Sequence, residues 1–213
     1  MNPHYAPAYD SYAYLLTARE RFSEAKMAMD KALQLDPLSP QINTDKGFSL
    51  FYTKEYDQAM MVLRNSLAIE PRNALAHIWL GRVYQEKKMY KDAIGEYEKT
   101  LIGIKDWPVA LAAIGYVYGI IGQKPEAEKM LIRLREVSGS RYVTPYGVAL
   151  IYASINDRDK TFEYLDKAFE EKSNWLVWLK QDPRWVVVSD DPRYQNLVAK
   201  VGLLKKNPPV KTP

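Results

Sequence analysis

The residues able to carry out covalent chemistry are few. Two histidines, His4 and His77, and no cysteine are all that 213 residues provide for imidazole or thiolate chemistry. No GxSxG elbow, HExxH metal pair or GxxxxGK[ST] phosphate loop occurs, so the usual local arrangements for an activated serine, a helix-borne metal or a cradled nucleotide are missing. Asn156, Asp157 and Asp159 are spaced like the first ligands of a calcium loop. The glycine at the sixth place and the glutamate at the twelfth do not follow, so this run reads as a turn between helices. His77 falls inside an apolar helical pattern and reads as a packed imidazole. The expectation is a protein that is not an enzyme and uses no cofactor and no metal.

One tetrapeptide recurs. Asp-Pro-Arg followed by an aromatic residue stands at Asp182 to Trp185 and again at Asp191 to Tyr194. An aspartate before a proline is the arrangement of an N-cap carboxylate with proline at the first helical position, where the missing N–H removes no bond. The pair therefore reads as two short helix starts. The competing reading is a ligand site built on Arg184 and Arg193.

Composition narrows the class. With 47% hydrophobic and 26% charged residues the chain has the balance of a soluble, folded protein. Of the formal net charge of +4, Lys205, Lys206 and Lys211 supply three units. The remaining body is nearly neutral and has no electrostatic footprint for direct nucleic-acid binding. The longest apolar run, Trp107 to Ile121, is too short for a membrane span and contains a proline. No membrane insertion and no targeting segment are expected. The compartment stays open, cytoplasmic being favoured and periplasmic remaining an alternative, because Cys-free chains suit both.

The elements that must position any site follow from a repeat. Pro3, Pro37 and Pro71 lie 34 residues apart, as do Gly47, Gly81 and Gly115, with Ala13 and Ala149 extending that column. A second column holds Ala25, Ala59, Ala93 and Ala127, and a third Leu16, Leu50, Tyr84, Tyr118 and Tyr152. Apolar residues three and four apart, as in Ala25, Met29, Ala32 and Leu33, make each unit two amphipathic helices. Small residues sit where helices cross, and the prolines end the second helix of a unit.

In period and columns the chain resembles the tetratricopeptide repeat family, over about residues 3 to 172. The resemblance implies an all-α fold, a right-handed α-solenoid of about five helix-turn-helix repeats with a C-terminal helical cap. The register gives residues 1–5 as the end of a preceding repeat, then repeats at 6–39, 40–73, 74–107, 108–141 and a divergent 142–175. A helical cap over 176–204 and a disordered tail over 205–213 complete the expectation. Because Pro3 occupies the last column of a unit, a longer parent chain is expected. Trp175, Trp178, Trp185 and Leu197 are the expected apolar fillers of the last repeat's open face. Residues 141–185 also resemble the C-terminal end of tetratricopeptide regions in bacterial signalling proteins, behind winged-helix activators, nucleotide cyclases or Ser/Thr kinases. That would imply a regulatory interaction module.

In this family the fifth, ninth and twelfth positions of each first helix point into a concave groove. Here the resemblance places Asp10, Tyr14 and Thr17, then Thr44, Phe48 and Phe51, then Ile78, Arg82 and Gln85, then Ala112, Tyr116 and Gly119 on that face. The candidate groove residues are Tyr14, Phe48, Phe51, Arg82 and Tyr116, facing a protein or peptide partner; the alternative is that Phe48 and Phe51 pack as core. Self-association through the solenoid ends, with Tyr9, Tyr12 and Leu15 uncovered and a homodimer as its outcome, is a second reading. A third, a co-chaperone clamping an acidic chaperone tail, needs Lys, Asn and Arg where this chain has Asp10, Tyr14, Asp45, Leu75 and Trp79. It is disfavoured.

Overall fold

The computed structural model describes residues 4–203; the expected tail over 205–213 and Pro3 lie outside them. Ten α-helices form five antiparallel hairpins: α1 Ala6–Ala18 with α2 Phe22–Leu35, α3 Pro40–Tyr52 with α4 Tyr56–Ile69, α5 Ala74–Glu86 with α6 Tyr90–Gly103, α7 Pro108–Ile120 with α8 Lys124–Val137, and α9 Pro145–Ser154 with α10 Arg158–Glu170. Two 3₁₀ turns, Asn174–Trp178 and Pro183–Val188, lead to a short α11, Pro192–Lys200. No β-strand occurs among the described residues.

Local chemistry explains where these helices begin. Proline occupies the first turn of α3, α7 and α9, and Ser39 and Asn73 cap α3 and α5 by accepting from the N–H groups of Ile42 and Ala76. Each hairpin turns in the same way. Residues 20, 54, 88, 122 and 156 all have positive φ, although only Gly122 is a glycine. The next N–H then reaches back to the carbonyl of Leu16, Leu50, Tyr84, Tyr118 or Tyr152, at 2.8–3.0 Å. This left-handed C-cap satisfies carbonyls that the helix end leaves free.

The column residues hold the hairpins together. Ala25, Ala59, Ala93 and Ala127 are wholly buried. A Cβ on Gly47 would lie 2.4 Å from Leu63, and one on Gly81 would lie 2.3 Å from the Tyr97 ring. These glycines are what lets the two helices of a hairpin meet with a large side chain between them. The divergent fifth unit is placed differently. A seven-residue connection over 138–144 replaces the short one of earlier units, so its first helix begins at Pro145 and lies close along α7. There a Cβ on Gly115 would meet Ile151, and one on Gly119 would meet Ser154.

Beyond α10 the chain departs from the expected simple cap. Trp185 and Leu197 close the last repeat, packing with Phe162 and Leu165. Trp178 instead joins the core of the second and third repeats, with Trp175 packed beside it. The physical reason is the aromatic face of the first helices, where Tyr14, Phe48 and Tyr52 give the Trp178 indole stacking and edge-on ring contacts.

Candidate protein-binding groove

First helices of neighbouring repeats pack side by side, α1 on α3, α3 on α5 and α7 on α9. That brings Tyr14, Phe48, Tyr52 and Trp79 together from three repeats. Tyr14 stacks on Phe48 at 4.9 Å, and Trp79 meets Phe48 edge-on at 4.7 Å. Into this group comes Trp178, stacked on Tyr52 at 4.6 Å and edge-on to Phe48 and Tyr14 at 5.0 and 5.3 Å. Offset and edge-to-face contacts of this kind each add about 0.5–1.5 kcal/mol beyond the area buried.

The segment that carries Trp178 runs back across the groove. Lys180 pairs with Glu20 at 2.7 Å, and Gln181 Nε2 donates to the Ala18 carbonyl at 3.0 Å, both at the end of α1. Farther on, Asp182 accepts from the Tyr146 hydroxyl at 2.9 Å, and Trp185 Nε1 donates to the same hydroxyl at 2.7 Å. Residues 174–182 thus form a strap, attached to the fifth repeat at both ends and laid over the first three.

The five groove residues are accordingly in different states. Tyr14 is 45% exposed, whereas Phe48, Phe51, Arg82 and Tyr116 are buried. Phe51 packs between Tyr52, Tyr56 and Trp79 as core between helices. Tyr116 lies beneath the Arg184 guanidinium, and burial raises its phenol pKa above the usual value. Arg82 is 4% exposed, with its guanidinium 4.4 Å from Trp79 and 5.5 Å from Trp175. Its Nε has no hydrogen-bond partner among the described residues. Burial and then the Arg184 charge hold its pKa below the ordinary arginine value.

At the first-repeat end, Asp10 and Asp45 face one another across α1 and α3. Burial, the Asp45 charge and a hydrogen bond to Asp45 push the Asp10 carboxyl up to about 7. Asp45 also accepts from Gln41 at 2.7 Å, and burial raises its pKa too. Sequence reasoning placed Asp10 on this face but not the carboxylate pair, which only the packing of α1 on α3 creates.

The doubled tetrapeptide serves as two caps with a clamp that spacing alone did not reveal. Asp182 accepts from Arg184 N–H at 3.1 Å and Asp191 from Arg193 N–H at 3.0 Å. Each arginine then folds back on its own aspartate, Arg184 through Nε and Nη2 at 2.8 and 2.6 Å, and Arg193 at 3.1 and 2.9 Å. The aromatic residue of each unit is buried: Trp185 against Tyr146, and Tyr194 with its hydroxyl on the Leu179 carbonyl at 2.7 Å. His77 is packed as well, with Nδ1 2.6 Å from Glu96 and Nε2 3.0 Å from the Pro71 carbonyl. Asp157 caps α10 by accepting from Lys160 N–H, so the 156–159 run is the end of the turn after α9 and the start of α10. No described helix is long and apolar enough to cross a membrane.

Comparison with known proteins agrees with this geometry. Family models described as tetratricopeptide repeat match residues 6–37 and 50–114. No curated protein sequence matches the chain. Among solved structures, it is similar to a thermophilic tetratricopeptide repeat protein of Thermus thermophilus, with TM-score 0.67 and 18% identity over 94% of this chain and 100% of that one. It is similar to PilW, a widely conserved type IV pilus biogenesis factor, with TM-score 0.61 and 15% identity over 93% and 92%. YrrB, a tetratricopeptide repeat protein with an unusual peptide-binding site, follows at TM-score 0.51 and 22% identity over 84% and 92%. At such identities the likeness is one of fold. Residues 6–37 and 50–114 match tetratricopeptide repeat models, and the described residues fold as an all-helical stack of hairpins similar to solved tetratricopeptide repeat structures.

Proposed function

We propose that the chain is a non-catalytic protein–protein interaction scaffold whose concave face receives an extended segment of a partner protein. The observation that supports this reading is that the face already accommodates a non-α-helical segment, through helix-borne aromatic side chains held rigid by the repeats. Rigid aromatic surfaces lose little conformational entropy on binding, and aromatic residues with arginine are the usual anchors of such interfaces. Tyr14, on the exposed lip, is the first contact an incoming segment meets, with Phe48, Phe51, Arg82 and Tyr116 lining or supporting the face behind it. The resemblance to bacterial signalling proteins makes a regulatory role within a larger protein the natural setting.

Photo-crosslinking tests the reading. A benzophenone amino acid at position 14 should capture a protein partner in cells, and the same group at Met61, exposed on outer helix α4, should not. The reverse pattern would move the interface to the convex side. A second reading, self-association through the α1 end, is favoured by the exposure of Tyr12 and Leu15. Light scattering of a Tyr12→Glu, Leu15→Glu variant beside the wild type decides it: a dimer that dissociates supports it, and an unchanged mass removes it.

A further inference from the structure

Resting on the concave-face reading, we propose that residues 174–182 are an internal ligand of that face, occupying the place of an external protein segment with a tryptophan followed two residues later by a lysine or arginine.

The strap makes its own case for being exchangeable. Its backbone hydrogen bonds are local, and what it sends across the groove is a set of side chains: the Trp178 indole, the Lys180 ammonium and the Gln181 amide. It is also anchored outside the first three repeats. Leu176 and Leu179 belong to the apolar cluster of the fifth repeat and cap, and Asp182 is fixed by Tyr146 and Arg184. The indole and the ammonium can therefore leave the first three repeats while the cap stays folded.

Closure also carries a cost that sits in the groove itself. Trp175 and Trp79 both lie against the Arg82 guanidinium, and its buried Nε has no acceptor among the described residues. A buried donor without a partner disfavours the state that buries it. A segment that displaces the strap re-exposes Arg82 or brings it a carbonyl or carboxylate oxygen, so exchange removes the defect. The recognition chemistry is legible from the strap. The ring box of Tyr14, Phe48 and Tyr52 accepts a flat indole, and it is open on the side of Tyr14, which is half exposed. Glu20 at the end of α1 takes the cation two residues farther along.

An occupied site weakens apparent affinity by the fraction of molecules in the open state. The probe is a fluorescein-labelled synthetic decapeptide, SNWLVWLKQD, the sequence of residues 173–182, titrated into the full chain and followed by anisotropy. The Trp178→Ala protein should bind it at least about tenfold more tightly than wild type does. A peptide with alanine at the Trp178 position should lose at least about tenfold on the same variant. Equal affinities for wild type and Trp178→Ala, or equal binding of the two peptides, would overturn the proposal. Should circular dichroism show Trp178→Ala unfolded, Lys180→Glu, which sets like charges against each other at Glu20 and leaves the core intact, replaces it. A folded Lys180→Glu protein with wild-type affinity then counts against the proposal. Failure here leaves position-14 crosslinks untouched, whereas peptide binding without such crosslinks removes the scaffold reading and keeps the internal ligand.

Discussion

The Trp178 indole lies flat on the Tyr52 ring, 4.6 Å between centroids and 23° from parallel, although Tyr52 belongs to the second repeat and Trp178 follows the fifth. This contact ties the strap to the second repeat. Trypsin should therefore cut wild type slowly after Lys180, whose neighbour Leu179 is fully buried. In Trp178→Ala, cleavage there should be about tenfold faster, because proteolysis follows local opening. Mass spectrometry of the fragments checks the site, and unchanged cleavage would show that the indole does not hold the strap.

Gly81 is the tightest point of the third hairpin, since a Cβ there would stand 2.3 Å from the Tyr97 ring. Tyr97 is wholly buried and has nowhere to move. Gly81→Ala should destabilise the protein by about 1–3 kcal/mol, and Gly81→Leu by more. Chemical denaturation is the measurement.

The two Asp-Pro-Arg units share a sequence but differ in burial. Arg184 and Asp182 are both buried, so Arg184→Met leaves a buried carboxylate unpaired and should cost about 3–5 kcal/mol. Arg193 is nearly half exposed, and Arg193→Met should change the melting temperature little. Thermal denaturation of the two variants side by side tests the contrast.

The Asp10 carboxyl should make stability fall as pH rises. Its pKa is pushed from the ordinary aspartate value of 3.8 up to about 7 in the fold, so the folded state holds the proton more tightly than the unfolded one. The associated stability is fully present below about pH 4 and lost as pH rises through 7. Asp10→Asn should therefore leave the protein nearly unchanged at pH 4 and stabilise it at pH 8. About 1–2 kcal/mol is expected after solvent screening, measured by denaturation at the two pH values. Asp45 is the charged side chain that acts on Asp10, and Asp45→Asn should shrink the pH dependence.

Lys54 and Lys88 adopt the same left-handed turn as Gly122, with φ of 63° and 60°. A Cβ is disfavoured there by about 1–2 kcal/mol, partly offset by the greater freedom of glycine in the unfolded chain. Lys88→Gly should stabilise the protein by a few tenths to about 1 kcal/mol, read from the denaturation midpoint.

Much of this architecture is local, and so was legible in the residues. The 34-residue spacing of Gly47, Gly81 and Gly115, the buried alanine column and the prolines at helix starts each act within one hairpin or between neighbours. A solenoid is a sum of such short-range terms. The aspartates before Pro183 and Pro192 announced caps for the same reason, since a cap needs only the next two or three residues.

Long-range relations were decided only by the folded chain. Periodicity puts Phe48, Arg82 and Tyr116 on one face but says nothing of what covers them, because Trp178 reaches Tyr52 across three repeats and leaves no trace in local pattern. The Asp10–Asp45 pair likewise exists only because α1 packs beside α3. Hydrophobic burial is non-directional: a tryptophan-rich tail fits the open end of the stack or the aromatic groove equally well by composition. The choice fell to the groove for Trp178 and to the end of the stack for Trp185, where shape, stacking geometry and the Tyr146 hydroxyl distinguished two surfaces that the sequence could not.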